Sequence, residues 1–315
     1  MPSWPPRKKR RPRKYRARRP RRPRRGMMLQ ADASRHDWLE GRGPRLTLTG
    51  FQDDASSDVL AAQFQLEAEN AVGYFRCLHQ LLTTHGVPLS LYRDRHGIFQ
   101  RNDAHWTPQE ELLGQQFPTQ VGQALEQLGI QQIPAHSPQA KGRIERLWRT
   151  FQDRLRSELR LAHAATLEQA NRVLATFCAD FNRRFAIPAS ESSHDFRPLP
   201  RGFDLARCLS FRHQRTVAPN HTVSFAGETI QLPPSSSRRG YAGALVELSH
   251  QLDGALRIYR ADQLLLTLHR PLRELIEPKP AIRSAAQKRK PKMPRIYNLS
   301  GRPALAAATY ISPGG

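Results

Sequence analysis

The chain has 315 residues and carries 50 Lys and Arg against 27 Asp and Glu, a formal charge of +23. That length allows two domains and a sizeable core, and no run approaches the roughly 18 consecutive apolar residues of a membrane-spanning helix. The N-terminus is basic without the apolar run a secretory signal needs, and Cys77, Cys178 and Cys208 are too few and too scattered for a disulfide framework or a zinc site.

The charge is unevenly placed. Residues 1–26 hold 14 Lys and Arg and no acid, residues 276–315 hold 8 with one acid, and only +2 is left for residues 27–275. A nearly neutral folded body between two disordered basic extensions is expected. Of the 50 cations, 42 are Arg, which we read partly as a coding bias, so no single Arg is strong evidence of a role.

In chain order, residues 7–25 (RKKRRPRKYRARRPRRPRR) repel themselves and suit a polyanion, with a log–log salt slope of roughly −0.9 per phosphate contact. From Met27 the runs MMLQAD (27–32), LTLTGFQDD (46–54) and VLAAQFQL (59–66) read as three strands whose short connections suit an antiparallel meander. Val72, Phe75, Cys77, Leu78, Leu81 and Leu82 then form one helical stripe ending at Gly86. LSLYRD (89–94) is a short strand and 95–117 an irregular polar excursion. A helix over about 119–128 leads to a strand, IQQIPAH (130–136).

The strongest helix follows, with Ile144, Leu147, Trp148, Phe151, Leu155 and Leu159 at i, i+3, i+4, i+7 spacing. Trp148 sits within that stripe and is assigned to the core. A further helix over about 167–183 opens with Thr166 and Gln169 in a capping-box pattern. The order β-β-β-α-β-α-β-α-α predicts a mixed sheet with helices on both faces. Beyond a boundary near residue 203, RTVAPNHTVSF, GETIQLPP, ALVELSH, ALRIYRA and LLLTLHR read as five short strands of a small barrel.

The chemistry is expected at the carboxylates. Asp32 ends the first predicted strand and Asp94 the fourth, so they meet at one sheet edge if those strands are neighbours. Glu145 lies one residue past Ile144, on the margin of the apolar stripe, where it can face the sheet. Three converging acids repel unless divalent cations bind, and hard oxygens suit Mg²⁺ or Mn²⁺. Two such ions about 4 Å apart would clamp an in-line phosphoryl transfer. Spacing alone leaves other readings open: Asp32 and Asp94 as strand-end turn formers, Glu145 paired with Arg149, and Asp53 or Asp54 as competing acids.

The segments QADASRHDWLEGRG (30–43), FQDDAS (51–56), LYRDRHGIF (91–99), TQVGQALEQLGI (119–130) and SPQAKGRIERLWRTFQDRLRSEL (137–159) resemble the catalytic part of bacterial insertion-sequence transposases of the DDE type, in particular the ISNCY type. They are more distantly similar to retroviral integrase. The likeness spans about residues 15–275, and the Ser-Pro-Gln-x-x-Gly-x-x-Glu element after a strand is its most specific part. The resemblance implies that Asp32 bridges both metals, that Asp94 and Glu145 each hold one, and that Asp53-Asp54-Ala55-Ser56 is not catalytic. Two departures stand out: Asp32-Ala33-Ser34 replaces the common Asp-Gly-Ser, and with a basic arm at the start of the sequence the helix-turn-helix region that reads element ends is expected to be lacking.

The resemblance therefore implies a ribonuclease-H-like α/β catalytic domain (27–202), with a mixed five-stranded sheet and helices on both faces. A small SH3-like β-barrel (203–275) follows, with a disordered arm (1–26) and tail (276–315). It implies DNA cleavage and strand transfer with two Mg²⁺ or Mn²⁺, or, alternatively, a truncated or domesticated DNA-binding remnant. Lys141, Arg143, Arg146 and Arg149 are candidates to grip the DNA backbone. Element ends and target DNA, a homo-oligomer on DNA, no membrane, and a bacterial, nucleoid-associated cytoplasmic location complete the expectation.

Overall fold

A computed structural model describes residues 19–101, 103–135, 142–234 and 240–271. Strands β1 (Leu29–His36), β2 (Leu46–Asp53) and β3 (Val59–Gln65) form an antiparallel meander. Helix α1 (Ala71–Thr84) follows, started by Asn70, whose side chain accepts from the Gly73 amide, and ended where Gly86 turns left-handed at φ +94°. Strand β4 (Ser90–Arg93), helices α2 (Pro108–Leu113) and α3 (Gln120–Gln127), and strand β5 (Gln131–Pro134) come next. Helices α4 (Gly142–Leu161) and α5 (Leu167–Phe185) complete this part, α5 opening with the Thr166–Gln169 capping box expected from its sequence.

The five strands make one mixed sheet in the order β3-β2-β1-β4-β5, with β4 parallel to β1 and β5 parallel to β4. Strand alternation divides the apolar residues between two faces. Leu29, Ala31 and Phe51 join α1 and α3 in one core, and Leu46, Leu48 and Phe64 join α4 and α5 in the other. Helices thus cover both faces. In the second core Phe151 is fully buried and meets Phe177 and Phe181 edge-on, with ring centroids 4.9 and 5.1 Å away.

Three expectations need correction. The excursion 95–117 contains α2, built by a capping box between Thr107 and Glu110. Its Leu112 and Leu113 stay exposed, so no apolar stripe announced it. The run RTVAPNHTVSF is not one strand: β6 (Phe211–Thr216) and β7 (Thr222–Phe225) are parted where Pro219 and Asn220 turn the chain, with the His221 amide donating to the Ala218 carbonyl at 2.9 Å. The arm was expected to be disordered through residue 26, yet Arg19–Gly26 lies against the body. Arg24 pairs with Asp195 at 2.9 Å and Arg25 with Asp58 at 2.9 Å, because folding brings acids from distant segments to these arginines. Residues 1–18 and 272–315 lie outside the described residues.

After a short helix α6 (Leu205–Cys208), β6 and β7 are followed by β8 (Glu228–Gln231), β9 (Leu245–His250), β10 (Ala255–Arg260) and β11 (Gln263–His269). Among the described residues these form a four-stranded sheet, β11-β10-β9-β6, and a separate hairpin, β7-β8. Cys208 and Leu209 belong to the same core as α1 and α3, and Phe211 meets Phe75 edge-on at 5.6 Å. The Gln120 side chain bonds the Arg212 backbone at both its amide and its carbonyl, 2.8 and 3.0 Å.

Candidate active site

The site begins with the parallel pairing of β1 and β4. Leu29 stands opposite Leu91 and Gln30 opposite Tyr92. Two residues further on, this register carries Asp32 level with Asp94, just past the end of β4 at Arg93. Both acids are half-buried. The Trp148 indole N–H donates to Asp32 Oδ2 at 3.1 Å, and the His96 amide donates to Asp94 Oδ1 at 2.9 Å. Each carboxylate is therefore oriented by a neutral donor.

Helix α4 tracks β1 step by step. The Ile144 amide donates to Gln30 Oε1 at 3.3 Å, Trp148 reaches Asp32, and Gln152 donates to Ser34 Oγ at 3.0 Å. Further along, Arg160 forms a bidentate pair with Glu40 at 2.8 and 2.9 Å. Gln30, Asp32 and Ser34 share one face of β1, since strand side chains repeat every second residue. Opposite Asp32 on β2 stands Gly50, and a Cβ there would come within 2.9 Å of Trp148 Cη2. The glycine is thus the space into which the indole fits on its way to Asp32, a close approach that a strand glycine commonly marks.

Glu145 lies in the first turn of α4 and is exposed. It precedes Trp148 by three positions, a neighbouring place on the helix surface. Among the described residues no three His, Cys, Asp or Glu side chains are close enough together to hold a metal ion. The structure brings Asp32 and Asp94 to one edge and does not gather Glu145 with them into such a group.

One nearby acid escaped the sequence reading. Glu69, just before the N-cap of α1, lies in electrostatic reach of Asp32, Asp94 and His96. Burial raises its carboxyl above the ordinary range, against the Tyr74 hydroxyl that donates to it at 2.6 Å and the nearby His96. The two neighbouring aspartates add to the rise. Its only sequence signal was a place one residue before the Asn70 cap.

The competing acids at the end of β2, Asp53 and the following Asp54, are committed to other work. Asp53 is buried and accepts from the amides of Gly26, Ala55 and Ser56, each at 2.9 Å; burial nonetheless raises its carboxyl. Asp54 has no exposed side-chain surface and binds Arg19 at 2.5 Å as well as Arg143. Burial pushes Asp54 upward, but the Arg19 hydrogen bond and the cations around it outweigh this and hold the carboxyl below its usual range.

Of the basic candidates, Lys141 lies outside the described residues, as do Pro138 and Gln139. The Arg143 guanidinium is taken up by Asp54 and by the Arg19 carbonyl at 2.6 Å. Arg146 and Arg149 are exposed on α4. Trp148, assigned to the core by its position in the stripe, is 5% exposed and also serves Asp32.

No protein-family model matches the chain. A Sinorhizobium fredii protein named as a transposase, y4bF, is 37% identical over 234 residues, which is 74% of this chain and 50% of the relative. The transposase for insertion sequence IS1202 of Streptococcus pneumoniae is 35% identical over 203 residues, 64% of this chain and 41% of the relative. Among solved structures, a chain of the simian T-cell lymphotropic virus intasome in complex with PP2A regulatory subunit B56 gamma aligns over 80% of this chain and 81% of its own. Its TM-score is 0.40 and its identity 14%. The HTLV-2 integrase catalytic core in complex with magnesium, in its trimeric form, covers 49% of this chain and 85% of its own, with a TM-score of 0.34 and 16% identity. By sequence, the chain is similar to bacterial insertion-sequence transposases and spans half or less of the length of the curated relatives it matches.

Proposed function

We propose that the chain is the catalytic portion of a DDE transposase, which cleaves DNA at the ends of an insertion sequence and joins the freed 3′-hydroxyl to target DNA. The observation that carries this reading is the parallel pairing of β1 and β4, which brings Asp32 level with Asp94 just past the end of β4, with Glu145 in the first turn of the helix packed along β1. The sheet order, three antiparallel strands followed by two parallel ones, supports a ribonuclease-H-like catalytic domain. The β6–β11 unit is read as a small SH3-like module that adds DNA contacts. Homo-oligomeric assembly on DNA and a bacterial cytoplasmic location belong to the same reading. Among the described residues no helix is long and apolar enough to cross a membrane.

The hard oxygens of Asp32 and Asp94 fit Mg²⁺ or Mn²⁺ by donor chemistry, and Glu145 is the proposed third donor. When bound, a pair of such ions supplies Lewis-acid activation and stabilises the charge that builds on the phosphoryl group. The protein's own part is orientation. Trp148 fixes the rotamer of Asp32, the His96 amide fixes Asp94, and α4 carries Glu145 on a rail set by its contacts to β1. Arg146 and Arg149 on the same helix, together with Lys141, are proposed to hold the DNA backbone and so set the register of the scissile phosphate.

The test is metal-dependent strand transfer by the full chain on short duplexes bearing the element's own ends. Asp32→Asn and Glu145→Gln are each expected to lower it by about a thousandfold, the scale on which electrostatic transition-state stabilisation is lost, with DNA binding retained. Strand transfer near wild type in either variant would remove that residue from the active site.

A further inference from the structure

The basic arm and the catalytic helix converge on one buried carboxylate. Asp54 Oδ1 accepts from Arg19 at 2.5 Å, from Gln30 Nε2 at 2.7 Å and from Arg143, while Oδ2 accepts from the Arg22 amide at 2.9 Å. Gln30 passes the connection on, because its Oε1 accepts from the Ile144 amide, one of the first-turn donors of α4 that the helix itself cannot satisfy. Gln30 is two residues before Asp32, and Ile144 is one residue before Glu145. Arg143, on the other side of Ile144, is held directly by Asp54.

We propose that Asp54 is a positioning residue: through Gln30 and Arg143 it sets where the first turn of α4, and with it Glu145, sits against β1, and through Arg19 and Arg22 it fastens the root of the basic arm at the same point. Two physical facts support this. The side chain has no exposed surface, so its loss strips the buried Gln30 amide of its acceptor and the part-buried Arg143 of its counter-charge, and a buried donor stripped of its partner is costly. Arg19 and Arg143 share a single oxygen, and Arg21 lies in electrostatic reach of Arg143. Without the carboxylate these like charges repel, and the first turn of α4 is the mobile partner because it is held here by side chains, whereas Asp54 follows a sheet strand. The arm, whose Lys and Arg run passes through this knot at Arg19 and Arg22, thereby becomes mechanically linked to the position of Glu145.

The role of Glu145 rests on the function proposed above, so the test has two independent readouts on the full chain. The first is amide hydrogen exchange across α4; the second is Mn²⁺ binding by titration calorimetry. Asp54→Asn is expected to speed exchange in the first turn of α4 while leaving amides of β2 and β3 protected. It is also expected to weaken Mn²⁺ binding about tenfold, the lower end of what removing an outer partner of a metal ligand costs. Adding Arg143→Gln to Asp54→Asn removes the uncompensated cation and is expected to restore most of the protection, which a general loosening of the fold would not do. Gln30→Met, which spares Asp54 and the arm, provides a second route if Asp54→Asn fails to fold; it is expected to weaken Mn²⁺ binding similarly. Unchanged exchange in both variants, or faster exchange with no rescue by Arg143→Gln, overturns the proposal. If the wild-type chain binds no Mn²⁺, the catalytic reading fails, and the exchange data alone decide whether Asp54 positions α4.

Discussion

Replacing Trp148 by Phe separates the two roles of the indole. The ring fills the space over Gly50 in the core between the sheet and α4, and its N–H reaches Asp32 Oδ2 at 3.1 Å. A hydrogen bond to a charged group is worth about 1.5–3 kcal/mol; because Asp32 is half-exposed and can turn to water, we take about 1 kcal/mol. The smaller ring also forfeits contact equivalent to one or two methylenes, at about 0.8 kcal/mol each. The expected loss is therefore about 2 kcal/mol, read as a lower urea midpoint at unchanged slope. The same variant removes the indole's hold on the Asp32 carboxylate, so Mn²⁺ affinity is expected to fall more than in Phe151→Leu, which disturbs the same core without touching Asp32. A Trp148→Phe protein as stable as wild type, with unaltered Mn²⁺ affinity, would refute both the packing and the orienting role.

Gly50→Ala adds a methyl within 2.9 Å of Trp148 Cη2 and 3.1 Å of the Ala61 carbonyl; overpacking of this kind costs about 1–3 kcal/mol, and thermal unfolding of the variant should show it. Glu40 offers a pH signature. Its carboxyl is held at about 2, well below the ordinary 4.5, first by hydrogen bonds from Arg160 and then by those from Arg42. A depressed carboxylate contributes stability that is fully present above its unfolded value and is lost as pH falls through its folded value. The difference in melting temperature between wild type and Glu40→Gln should therefore be steady above about pH 4.5 and shrink between 4.5 and 2. A difference that stays constant down to pH 2 would show that Glu40 is not ion-paired in solution.

The parts of this molecule that were legible in sequence are those where local pattern and tertiary environment agree. The α4 stripe from Ile144 to Leu159 is buried at every position named, and the Thr166–Gln169 box starts α5 where its chemistry dictates. The β1–β3 meander follows from short connections, although β1 runs on to His36 through polar residues that the alternation rule would have ended sooner. The order of β1 and β4 was only conditional in the sequence, since no residue pattern states which strands are neighbours. What stayed hidden depended on partners far away in the chain. Arg19–Gly26 reads as a solvated tail until Asp54, Asp58 and Asp195 are brought to it. The reach of Trp148 to Asp32 needs a missing side chain at Gly50, and Glu69 joins the acidic edge only once α1 is docked.

The pitch of α4 against β1 has one more consequence. Four helical residues advance about 6.0 Å and two strand residues about 6.7 Å, so the two elements are nearly commensurate, like a vernier beside its scale. Two such rails would ordinarily tolerate a slip of one tooth. Here the teeth differ in kind: a backbone amide meets Gln30, an indole meets Asp32 and a carboxamide meets Ser34. Displacement by a turn would confront each donor with the wrong acceptor. At the far end the long side chains of Arg156 and Arg160 both reach Glu40. These three differing contacts index the half of the helix that carries Glu145, and a single residue inserted between Glu145 and Trp148 would turn Glu145 about the helix axis while Trp148 kept its place.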